Sequence, residues 1–184
     1  MSRRRVQNRD IRARLRDSRP GRVRPRPSVA EAARLVRAAG KDRRYGGRPD
    51  AEVMLALGGW GAVESWAGAQ KIAAAQEMIR RRPDRRASAA TGTAAGPDAL
   101  PAVWDRALGE ELALELSCSV YSGTALAELS YALGARLPLT AQALAAGVLD
   151  MGKARLIAGE TAVLDDEQAG AAEADIAERW DGLT

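Results

Sequence analysis

Residues 107–135 read ALGEELALELSCSVYSGTALAELSYALGA, and the fold class follows from them. Ala, Leu and Glu dominate, and only Val120 and Thr124 are β-branched, so the stretch favours helix over strand. The helical pattern of residues 107–116 breaks at Ser117, Cys118 and Ser119 and resumes over about 121–135. Ala113 and Leu116 before the break, with Ala125, Leu126 and Leu129 after it, are the expected inward contacts. Tyr121, Ser122 and Thr124 are then left facing outward. Two helices joined by so short a polar turn fit a helix-turn-helix, and they equally fit an αα-hairpin inside a bundle.

Further helix signals lie on both sides. Upstream, Ser28 followed by Glu31 three residues later, with Gly40 at the far end, reads as a capping box and a glycine stop. Residues 50–83 carry a longer pattern that brings Val53, Leu57, Trp60, Val63, Trp66, Ala69 or Gln70, Ala73 and Met78 near one face. Gly58, Gly59 and Gly61 weaken its middle, each by about 1 kcal/mol relative to Ala, and predict a kink or break there. Arg80, Arg81, Arg82, Arg85 and Arg86 follow, either complementing the helix dipole or clamping phosphate. Downstream, Thr140, Asp150 and Asp165 are placed to cap three short helices, ending near Gly147, Thr161 and Trp180. Asp165, Asp166 and Glu167 could instead be read as metal-binding carboxylates, but consecutive residues fan around a helix, and no metal site is expected.

The resulting expectation is an all-α multi-helix bundle with a helix-turn-helix-like segment and a disordered basic N-terminal arm. Residues 1–27 form the arm, 28–83 the N-terminal helices, 84–101 a linker rich in Ala, Gly, Thr and Pro, and 102–184 a helical domain. The whole composition agrees: 39 of 184 residues are Ala and none is Phe. The chain has no His, and its one Cys is Cys118, which excludes an intrachain disulfide, a Cys/His zinc site, a Ser-His-Asp triad and a Cys-His dyad. No enzyme activity and no cofactor are expected. Glu128 and Arg136 interrupt the most apolar stretch, so no membrane span is read. Gln7, Asn8, Arg9 and Asp10 stand where the apolar part of an export signal would lie, so a cytoplasmic location is expected.

Charge separates the chain into unlike parts. Residues 1–49 hold 17 Arg or Lys against 4 Asp or Glu, a net of +13, whereas residues 87–184 hold 5 against 15, a net of −10. Eleven arginines fall within residues 1–26: Arg3, Arg4, Arg5, Arg9, Arg12, Arg14, Arg16, Arg19, Arg22, Arg24 and Arg26. Interleaved with Pro20, Gly21, Pro25 and Pro27, they cannot bury apolar surface, which predicts an unfolded arm. Such an arm binds nucleic acid by releasing counterions from phosphates, or it folds back onto the acidic half.

The strings ESWAGAQKIAAAQEMIRRRP, PAVWDRALGEELALEL and ARLPLTAQALAAGVLDMGKARLIAGETAVLDDEQAGAAEADIAERWDGLT resemble the actinobacterial family called Domain of Unknown Function 222. The likeness covers residues 52–83 and 101–184, with RLPLT, KARLIA and LDDEQA as its most specific parts. A second likeness is to the central DNA-binding region of ParB-type partition proteins, in the succession ELALEL, turn, RLP, AAGVLDMGKARLI and DDEQ.

The first resemblance implies a helical domain that precedes an HNH endonuclease module. It also implies that this chain stops before that module, and without His the HNH chemistry does not carry over. The resemblance therefore leads to a non-catalytic, DNA-associated helical domain, with homo-oligomerisation as a further expectation. A second departure concerns base readout: residues 107–134 contain no Arg or Lys but do contain Glu110, Glu111, Glu115 and Glu128. Tyr121, Ser122 and Thr124 are the candidate base-facing groups, yet phosphate contact is expected mainly from the arm. The alternatives are a helical protein-interaction or oligomerisation module, and a half that works only beside a separately encoded nuclease.

Overall fold

The computed structural model describes residues 27–84 and 99–180, and every regular element among them is helical. The arginines of residues 1–26, and with them the arm expected there, lie outside the described residues. The helices are α1 (Val29–Ala39), α2 (Asp50–Arg81), α3 (Leu108–Glu115), α4 (Val120–Ala135), α5 (Pro138–Ala145), α6 (Met151–Glu160) and α7 (Asp166–Ala177).

Ser28 caps α1 by accepting from the Glu31 backbone N–H at 3.2 Å, and Gly40, at φ 77°, ends the helix. The reciprocal half of the expected capping box is absent, because the Glu31 carboxylate turns to Arg34 instead.

Helix α2 runs for 32 residues, about 48 Å at 1.5 Å per residue, without the break its glycines predict. Asp50 and Glu52 in its first turn and Arg80 and Arg81 in its last complement the dipole. Packing accounts for one of the three glycines. At Gly59 a Cβ would stand 3.0 Å from a Leu35 methyl, so the missing side chain lets α1 dock.

The buried face of α2 also differs from the expected one. It holds Ala56, Ala62, Val63, Ser65, Gly68, Ile72, Ala75 and Ile79, while Leu57 is 63% exposed and Ala73 is exposed. Different helices press on different lengths of α2, and small residues mark where they come closest. A Cβ on Gly68 would stand 2.6 Å from the Met151 Cε, and one on Gly147 would stand 2.9 Å from the Ala62 Cβ.

Residues 116–119 join α3 to α4 in a tight turn. Ser117 takes φ 50°, Cys118 N–H donates to Ala113 O at 2.9 Å, and Ser117 N–H donates to Leu114 O at 3.2 Å. These two bonds are the Schellman pattern, here with Ser where Gly is usual. The helices then meet almost backbone to backbone: a Cβ on Gly123 would lie 2.2 Å from Gly109 O. Ala113, Leu126 and Leu129 are buried as expected, whereas Leu116 is 38% exposed because the chain has already left the helix at that point. Ala125 is only half-buried, on a face described below.

One core gathers Ile72 of α2, Leu126, Leu129 and Leu133 of α4, Leu137, Leu144 of α5 and Ala154 of α6. A second, smaller cluster joins Leu35 of α1 to Ala56 and Val63 of α2. Thr140 does not cap α5, which begins at Pro138; Thr140 is fully buried inside it. The capping group is Glu173 of α7, whose carboxylate accepts from the Leu139 and Thr140 backbone N–H groups at 3.2 and 2.7 Å. Asp150 and Asp165 cap α6 and α7 as expected, the latter in a complete capping box with Gln168. Helix α7 ends at Ala177, short of Trp180. No helix among the described residues is long and apolar enough to cross a membrane.

Candidate nucleic-acid interface

Tyr121, Ser122 and Thr124 fall in the first turns of α4, but the structure leaves them unequally free. Tyr121 is 84% exposed. Ser122 is exposed too, although its N–H donates to Ser119 Oγ at 3.1 Å and the two hydroxyls lie 2.9 Å apart. Thr124 departs from the outward expectation. It is half-buried, with its Oγ1 against Gly109 at the close helix crossing.

Beyond the first turn, one face of α4 lines a groove of about 750 Å³. Tyr121, Thr124 or Ala125, Glu128 and Ala132 follow one another at three- and four-residue steps, the spacing of one helical face. Residues 102–106 form one wall, with Trp104 and Arg106; Arg155, Ala158 and Gly159 of α6 form another. The first wall is fixed to the end of α2. Pro83 and Trp104 form an isolated antiparallel bridge, Asp84 N–H donates to Val103 O at 3.0 Å, and Asp105 N–H donates to Arg82 O at 3.1 Å. The Asp105 carboxylate in turn accepts from Ala107 N–H at 2.9 Å, leading the chain into α3.

The cations around the groove divide into engaged and free ones. Arg136 donates to Asp166 at 2.8 Å and to Leu164 O at 2.5 Å, holding the end of α4 to the connection before α7. Arg106 and Arg155 form no ion pair among the described residues. Tyr131, also on the groove, has its phenol pushed above the ordinary value by burial and by nearby Asp166, with Arg136 opposing, so it is a neutral donor at physiological pH. Neither Arg106 nor Arg155 is in α4, and for that reason helical periodicity gives no hint of them.

At the end of α2, Arg80, Arg81 and Arg82 are engaged in ion pairs within the fold. Arg80 and Arg81 both bond Glu77, whose carboxyl is held below its ordinary value by Arg81 and then by Arg80. Arg82 bonds Glu111 across to α3, and this hydrogen bond raises its own pKa. Arg85 and Arg86 lie outside the described residues. Of the acidic trio, Asp165 caps α7 and Asp166 holds Arg136, and no group of three potential metal ligands occurs among the described residues.

No family model, no curated protein and no solved structure matches this chain.

Proposed function

We propose that the chain is a non-catalytic, DNA-associated helical domain, of the kind that its resemblance to the Domain of Unknown Function 222 family implies. The arginines of residues 1–26 supply phosphate contacts, and the helical body orients the arm on the duplex. The observation that carries this reading is the pairing of the +13 N-terminal segment with a helix-turn-helix arrangement whose second helix keeps one face uncovered beside Arg106 and Arg155. Arginine attracts phosphate without reading sequence, so the domain binds duplex DNA weakly and with little sequence preference.

Fluorescence anisotropy with a labelled duplex tests it. Affinity falls as salt rises, with a slope of about 0.9 per neutralised phosphate, and deletion of residues 1–26 removes most of the binding. Unchanged affinity and an unchanged salt slope after that deletion would overturn the proposal.

A second reading, a protein-interaction or oligomerisation module, has one observation in its favour. Leu114 (81% exposed), Val120 (56%) and Tyr121 (84%) put apolar surface on both sides of the α3–α4 turn. Self-association without measurable duplex affinity would favour this reading.

A further inference from the structure

We propose that the groove between residues 102–106, α4 and α6 takes one or two unstacked nucleotides of single-stranded DNA. The inference rests on the DNA reading above and goes further, because it assigns a second binding surface and a different form of the ligand.

The lining supplies what single-strand recognition needs. Trp104, Tyr121 and Tyr131 offer aromatic rings, and any base has a π-face to lay on such a ring. Arg106 and Arg155 offer guanidinium groups with no ion-pair partner among the described residues, suited to the phosphates on either side of a stacked base. A volume of about 750 Å³ falls within the range of about 300 to 1,000 Å³ seen for small-molecule sites, enough for a nucleotide but not for a duplex.

Glu128 gives the site a preference. Its exposed carboxylate lies on the same face of α4 as Tyr121, and one carboxylate among cations repels phosphate while accepting from an exocyclic amino group. Cytosine presents such a group and thymine does not, so the groove favours oligo(dC) over oligo(dT). The arm, which contacts only phosphate, has no such preference.

Anisotropy titrations of the full chain with short oligo(dC), oligo(dT) and a duplex of the same length test the assignment. Tyr121→Ala and Arg155→Gln alter exposed side chains and leave the fold intact. Each is expected to weaken oligo(dC) binding, the tyrosine change by about five- to a hundredfold, while arm-dependent duplex affinity stays the same. Glu128→Gln narrows the preference for oligo(dC). Single-strand affinity that both variants leave unchanged overturns the groove and leaves the arm reading standing. Absence of binding to any of the three probes overturns both. Displacement of oligo(dC) by an oligo-glutamate peptide at equal charge also overturns the inference, since the groove would then be an acidic-peptide site.

Discussion

Helix α4 buries Leu126, Leu129 and Leu133 toward the core, with Gly123, Ala127 and Ser130 as its small buried residues, whereas α2 buries Ala56, Ala62, Ser65, Gly68 and Ala75, with only Val63, Ile72 and Ile79 as larger side chains. The two are held by different means. In α4 the volume of three leucines fixes the inward face, and hydrophobic burial supplies the attraction. In α2 the missing side chains matter as much as those present, because they let α1 and the residues around α5 and α6 approach its backbone. This difference also bears on function. The face of α4 beside its leucines is free to line the groove, with Leu129 shared between groove and core, while α2 is occupied by neighbours along much of its length.

The largest effect should come from the leucine face. Leu133 is 1% exposed within the main core, and Leu133→Ala is expected to destabilise by about 2 to 5 kcal/mol through lost burial and the cavity left behind. Leu57→Ala in α2, where the side chain is 63% exposed, should stay within about 0.5 kcal/mol. Urea unfolding midpoints measure both, and equal losses would remove the distinction between the helices.

The same difference explains what could be read in the sequence. Leucines at helical spacing make α4, its turn and the inward positions Leu126 and Leu129 legible from residues 107–135 alone, whereas Leu116 and Ala125 are not the buried contacts their spacing suggests. The pattern in α2 misled in part: Trp60 and Val63 pack against Leu35 as their spacing suggests, but Leu57 carries an apolar signal and is exposed, while Ala56 and Gly68 make close contacts, and Ala is too common in this chain to mark a face. The caps at Ser28, Asp150 and Asp165 were legible because they are local. The cap supplied by Glu173 was not, since it reaches α5 from 33 or 34 residues away. The groove divides in the same way: Tyr121 and Thr124 come from the helix that could be read, whereas Trp104, Arg106 and Arg155 join it only through tertiary packing.

Glycine replacements sharpen the comparison further. Gly123→Ala would place a methyl group 2.2 Å from Gly109 O, at a crossing of two backbones that cannot yield without separating α3 from α4. A loss of about 1 to 3 kcal/mol is expected. In α2 the opposite sign is expected at Gly58 and Gly61, where a Cβ meets nothing within 4 Å and the helix is continuous. Gly58→Ala and Gly61→Ala should each stabilise by about 0.5 to 1 kcal/mol through the lower entropy of the unfolded chain and the better helix propensity of Ala. Thermal melts of the three variants decide the matter, and destabilisation by Gly58→Ala would mean that α2 bends at this point in solution.

The smallest expected effect is a difference in acid sensitivity between the two regions. Glu31, 7% exposed, sits at the α1–α2 joint, and its carboxyl is held below the ordinary value of 4.5 by the hydrogen bond from Arg34, with burial opposing and the Arg34 charge assisting. A carboxyl whose folded value is depressed stabilises the fold above its unfolded value, and that contribution is lost as pH falls through the folded value. The α1–α2 joint should therefore loosen below about pH 4.5, by less than about 1 kcal/mol because the Arg34 side chain is 57% exposed and solvent screens the pair. The α4 face toward the core has no such group, as Leu126, Leu129 and Leu133 do not titrate. Hydrogen exchange followed by mass spectrometry, comparing peptides from α1 and α4 between neutral and mildly acidic pH, should show faster opening in α1 first, and Glu31→Gln should remove the pH dependence there. If α1 and α4 lose protection together, or if Glu31→Gln leaves the α1 profile unchanged, the joint is not held by this ion pair and the separation of the two regions fails at its weakest point.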